Sequence, residues 1–363
     1  FRSADRRIEY LVIAPPSLWT AAERLAALRR DQGLLAETAY LDQIADEFGD
    51  GVLTPHAIRG FLAFAWESWD VKPRYVVLAG EGTLDYKNLL GYGDNLVPPL
   101  MVRAEGGLFP SDNRLGDVDG DGLPEMAVGR IPVLSTAELN AYIDKIAAYE
   151  AEPPAAWAGS ALFLADAQDR GADFAAESER IASQLPAGYS VDRIYLSSMP
   201  LASARGLLTA ALHRGVSLIN YVGHGGLDRL AGAGLLTSAD VPGLANGARL
   251  PVVTAMTCTV NRFAVPGVPA LGELLTKAPA GGAAAVWGPS GLSSSGQARL
   301  LAERFHRPGN EARLGDRILR AVREFRELGG DPALPVLYDL MGDPALRMVG
   351  APARVAVPSS NGE

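Results

Sequence analysis

The sequence is poor in cysteine, in histidine and in positive charge. One cysteine, Cys258, occurs in 363 residues. No intrachain disulfide can form, and a cysteine-based metal cluster is excluded. Lysine and arginine number 33 against 42 aspartates and glutamates, a formal charge of −9. No Lys/Arg-rich stripe appears, so a nucleic-acid partner is disfavoured electrostatically. No uninterrupted apolar run reaches the ~20 residues of a membrane-spanning helix. Arg2, Asp5, Arg6, Arg7 and Glu9 crowd the first ten residues, which is not the pattern of a signal peptide. The expectation is a domain cut from a longer precursor. Apolar residues make up 48% and charged residues 21%, which fits a globular rather than a disordered chain.

What is present is an alternation of strand and helix. Tyr10–Ala14, 35–41, 74–79 and 126–131 read as strands, with helices over 20–30, from Pro55 to about Trp66, and over 135–150. Thr54-Pro55 offers an N-cap followed by proline at the first helical position. Ser135 or Thr136 is the cap of the last helix of this half. The stretch 151–158 (AEPPAAWA) breaks the pattern with two prolines and marks the expected boundary between residues 1–151 and 152–363. The alternation then resumes, with strands expected at 161–165, 191–196, 216–222, 250–257 and 283–287. Helices are expected over 174–184, 202–214, 271–277, 297–306 and 314–328. Continuous apolar strands separated by helices indicate mostly parallel sheets covered on both faces. The fold class is therefore α/β, as two adjacent α/β subdomains.

In open parallel sheets, chemistry gathers beyond the carboxyl ends of the strands. The strand ending at Val222 runs into Gly223-His224-Gly225-Gly226, and the strand ending at Thr257 runs into Cys258. If the two strands are neighbours, imidazole and thiol share one crevice. A thiol attacks as thiolate, which an adjacent imidazole generates, and the same imidazole can protonate the leaving amine. The N–H groups of Gly225 and Cys258 are the candidate oxyanion hole. His56, His213 and His306 read as helix-end residues, which leaves His224 as the candidate base. Singly, Cys258 reads equally as a small buried apolar residue and the glycines as a turn; the matched strand exits favour chemistry.

The segments 220–225 (NYVGHG), 253–261 (VTAMTCTVN), 111–131 (SDNRLGDVDGDGLPEMAVGRI) and 340–348 (LMGDPALRM) resemble those of the gingipain-type cysteine peptidases, relatives of the caspases. The resemblance runs through nearly the whole chain. It implies a caspase-like catalytic subdomain after about residue 151, endopeptidase activity on protein or peptide substrates through a thioester, a His224–Cys258 dyad, no cofactor for catalysis, and export to the cell surface or beyond. Two departures stand out. The loop 287–295 (WGPSGLSSS) has Ser294 roughly where arginine-specific members carry a tryptophan over the specificity pocket, and the sequence ends soon after Val357, short of the immunoglobulin-like domain that follows in gingipains.

Asp173 falls near the family's pocket carboxylate for a basic P1 side chain, the residue preceding the cleaved bond. It reads equally as an N-cap, and Asp166 and Asp169 compete for the role. The loop Asp117-Val118-Asp119-Gly120-Asp121-Gly122 resembles the front of a calcium loop, so Asp117, Asp119 and Asp121 are candidate ligands of a structural Ca²⁺. The glutamate expected at its twelfth position is missing, and Glu125 and Asp112 are alternatives; a solvated acidic turn is the other reading. Two rival functions stay open: a processing peptidase or transpeptidase of secreted proteins, and a catalytically silent, calcium-stabilised interaction module.

Overall fold

The computed structural model describes residues 1–93, 95–153 and 155–350. Among these, ten strands form one sheet: β1 (Tyr10–Ala14), β2 (Ala36–Tyr40), β3 (Tyr75–Ala79), β4 (Ala127–Ile131), β5 (Ser160–Ala165), β6 (Ser190–Tyr195), β7 (Leu218–Val222), β8 (Val252–Met256), β9 (Ala285–Pro289) and β10 (Tyr338–Met341). Their order is β2-β1-β3-β4-β10-β9-β8-β7-β5-β6. The first four strands lie side by side, as do β5 to β9. β10 stands between the groups, antiparallel to β9 and joined to β4 through Met341 and Arg130. The expected boundary at 151–152 coincides with the end of a helix; Pro154 and residues 351–363 lie outside the described residues.

Nine helices matter here: α1 (Trp19–Asp31), α2 (Leu41–Phe48), α3 (Pro55–Ser68), α4 (Thr136–Ala151), α5 (Phe174–Ala182), α6 (Leu201–Arg214), α7 (Leu271–Lys277), α8 (Ser295–His306) and α9 (Leu314–Glu327). Local chemistry sets their starts. Thr54 accepts a hydrogen bond from the Ala57 N–H ahead of Pro55, and Ser135 does the same from the Glu138 N–H. The central strands β1, β3, β4, β7, β8 and β9 are buried along their whole length, as sheets covered on both faces require. One face of the sheet packs against α1, α4, α5, α8 and α9. The other packs against α6 and α7 in the second half and α2 and α3 in the first.

His306 ends α8, as a helix-end residue should, yet it is wholly buried. Its Nε2 meets the Thr254 hydroxyl at 3.1 Å, and its ring stands against Phe163 and Phe305. Burial, helped by the nearby Arg317 charge, pushes its pKa down to about 3, whereas an unfolded histidine titrates near 6.5. Between these values the unfolded chain binds the extra proton, so stability falls as pH drops below about 6.5, by roughly 1.4 kcal/mol per unit at the limit. Denaturant midpoints measured from pH 7 to 4 should fall more steeply for the natural chain than for His306→Gln.

Candidate active site

The registers of β7 and β8 create the site. The two strands are parallel neighbours, with Leu218 opposite Val252 and Val222 opposite Met256. Val222 and Met256 both face the layer that holds α5 and α8. Side chains alternate faces along a strand, so two positions further on His224 and Cys258 return to that same face. They line one cavity of about 190 Å³ with Asp169, Gly171, Ala172, Phe174, Gly223, Met256, Thr257, Ser293 and Ser295. Cys258 is a free, half-buried thiol, 3.9 Å from the Ser293 carbonyl oxygen.

Close packing holds both turns. Gly223 has φ 152°, and a Cβ there would lie 2.4 Å from Asp166 Cβ and 2.6 Å from the Tyr221 hydroxyl. Only glycine fits. A Cβ on Gly225 would lie 2.3 Å from Thr257 Oγ1. Thr259, one residue past the thiol, has φ 51°, a left-handed conformation that costs a β-branched residue of order 1–3 kcal/mol. It persists because the Thr259 N–H donates to the Gly291 carbonyl and the Asn261 N–H to that of Pro289, 3.0 Å each.

His224 is held at backbone and ring. Its N–H donates to Asp166 at 3.2 Å, and its carbonyl accepts from the Tyr221 hydroxyl. The ring is 61% exposed, with Nε2 2.7 Å from the Asp169 carboxylate. The Phe174 ring stands edge-on at 5.3 Å. A carboxylate only accepts, which assigns the proton to Nε2 and leaves Nδ1 as the basic nitrogen. The bond from His224, with the Gly171 and Ala172 N–H groups, holds the Asp169 carboxyl below the usual aspartate range.

The Ala231 N–H donates to the His224 carbonyl, and Gly225 pairs with Leu230 in a short hairpin. That register puts Gly225 at a non-hydrogen-bonded position, its N–H turned away from the partner strand. The Cys258 N–H has no protein acceptor among the described residues.

Asp173 is not brought to the cavity. It is exposed and caps α5, accepting from the Ala176 N–H at 3.0 Å. Asp166, one of its competitors, binds the Ala167 and His224 N–H groups; Asp169, the other, faces His224. The ring partner and the aromatic wall were thus missed. A signal existed for Asp169, since it lies just beyond a strand end in a Gly-containing loop. Phe174 carried none, because a phenylalanine opening a helix reads as core.

In the acidic loop, ligand oxygens of Asp117, Asp119 and Glu125 lie within 4.8 Å of one another. Asp121 stands apart, accepting from the Leu123 N–H, and Asp112 is spent on the buried Arg130. Asp117 accepts from the Gly120 and Gly122 N–H groups and pairs with Arg114. Burial, with the Asp119 charge nearby, raises the Glu125 pKa.

The model of peptidase family C25 matches residues 3–349. Gingipain R2 of Porphyromonas gingivalis is 26% identical over 275 residues, covering 74% of this chain and 34% of its own length. Gingipain R1 of the same organism is 26% identical over 257 residues, covering 69% and 24%. The chain thus spans about a third or less of these relatives. The crystal structure of the arginine-specific cysteine proteinase gingipain R superimposes with a TM-score of 0.79 at 21% identity, over 97% of this chain and 81% of that one. A complex of the pro- and mature domains of the Porphyromonas gingivalis protein gives 0.78 at 21% identity, over 95% and 81%. The gingipain-like α/β fold is shared, and the chain belongs to peptidase family C25.

Proposed function

We propose that the chain is a cysteine endopeptidase in which Cys258 attacks the substrate carbonyl and His224 moves the protons. The observation that carries this reading is the meeting of the one thiol and an Asp169-bound imidazole in a single cavity at adjoining parallel strand ends. His224 Nδ1 takes the Cys258 proton, and the thiolate adds to the scissile carbonyl. The Gly225 and Cys258 N–H groups receive the oxyanion. The imidazolium protonates the departing amine, leaving a thioester on Cys258. A water, deprotonated by His224, then hydrolyses the thioester and frees the thiol. Asp169 keeps Nδ1 as the basic nitrogen and stabilises the imidazolium. Incubation with a diverse peptide library, read by mass spectrometry, tests the reading; cleavage that persists in Cys258→Ala sinks it.

Membership of the family and the pro-domain complex solved for its relative support a chain made within a longer, exported precursor. Among the described residues no helix is long and apolar enough to cross a membrane.

The acidic loop fits a structural Ca²⁺ held by Asp117, Asp119 and Glu125, with carbonyl and water oxygens completing the 6–8 ligands this ion takes. Calcium at a hundredfold excess over its Kd should stabilise the fold by about 2.7 kcal/mol. In thermal melts the gain should vanish in Asp119→Asn. Equal melting with calcium and with chelator would remove the site.

A further inference from the structure

Four carboxylates lie in or near the cavity wall; Asp169 alone of them lines it, and each already accepts a hydrogen bond. Asp169 is bonded to His224 at the rim. Asp173 turns back to cap α5, and Asp166 is occupied by two backbone N–H groups. Glu177, one turn into α5, accepts from the hydroxyl of Ser295, a residue of the lining. The lining is otherwise uncharged, with Gly171, Ala172, Phe174 and Met256 against the hydroxyls of Thr257, Ser293 and Ser295. Phe174 is the residue that matters most. As the first residue of α5 it is buried and projects into the cavity beside His224, while its neighbour Asp173 points out. A charged side chain entering here would find no unengaged carboxylate, since Asp169, the one carboxylate in the lining, is already bonded to His224.

Resting on the peptidase reading above, we infer that this cavity is the primary specificity pocket and prefers an uncharged P1 side chain, with Phe174 standing on the wall where a basic side chain would need a carboxylate.

The test is a set of peptides differing only at P1: Ala, Leu, Ser, Thr, Asn, Gln, Arg, Lys and Glu. The best uncharged P1 should exceed Arg and Lys by tenfold or more in kcat/KM. Phe174→Asp, which puts a carboxylate on the wall, should raise the Arg:uncharged ratio at least tenfold. That ratio is independent of the fraction of folded variant. Asp173→Asn should leave the ratio unchanged. A natural chain that prefers Arg or Lys overturns the inference while leaving the peptidase standing. A ratio that shifts in Asp173→Asn also overturns it. Failure of the natural chain to cleave any peptide of the set would instead remove the peptidase reading beneath it.

Discussion

Replacing Cys258 with alanine is expected to lower kcat/KM for peptide cleavage by about 10⁴-fold or more, because the bond-forming atom is gone and no second thiol exists in the chain. The fold should be untouched. Cys258 sits beyond the last hydrogen-bonded residue of β8, is half-buried, and donates only weakly, to Ser293. His224→Ala should cost a similar factor, and the double variant little more than either alone. Groups that act as one unit show this non-additivity. Steady-state kinetics with matched thermal melts checks both halves of the expectation. A Cys258→Ala variant that has simply unfolded is told apart by its melt.

The second large effect belongs to Asp169. Its carboxylate fixes the ring tautomer through Nε2, so Asp169→Asn is expected to reduce kcat by about ten- to a hundredfold. The site is open to water, the carboxylate side chain being 41% exposed and the ring 61%. The loss should therefore stay below the ~10⁴-fold known for a buried orienting aspartate. The pH dependence has a definite sign. A carboxyl held below its usual pKa contributes fully above the ordinary aspartate value of about 3.9 and loses that contribution as pH falls through the lowered one. Asp169 therefore stays ionised throughout the neutral range. Any acid limb of activity between pH 5 and 7 must come from another group, and Asp169→Asn should lower the plateau between its limbs. Loss confined to the acid side of the profile would contradict this role.

Much of the arrangement was legible in the chain itself. β1, β3, β4, β7 and β8 were visible as short apolar runs, and the Thr54 and Ser135 caps as side-chain chemistry that needs no tertiary context. His224 and Cys258 could be placed because strand exits concentrate chemistry. Other features depended on distant partners. α2 follows β2 without a break and has no side-chain cap. β10 gains its place only by inserting between β9 and β4. Asp173 satisfied two readings at once, N-cap and pocket acid, and only the direction of its carboxylate separates them. The acidic loop carried the same ambiguity. Three alternate aspartates looked equivalent, yet Asp121 closes a local turn while Glu125, four residues on, folds back towards Asp117 and Asp119.

Trapping the covalent intermediate tests the central claim most directly. The chain is mixed with an activated peptide ester, quenched in acid within the first turnover, digested and mapped by mass spectrometry. One acyl group should be found, on Cys258, in amounts that fall sharply in His224→Ala. Turnover with the acyl group on any other residue, or with equal acylation when the imidazole is absent, would contradict a thiol activated by its neighbour across two parallel strands.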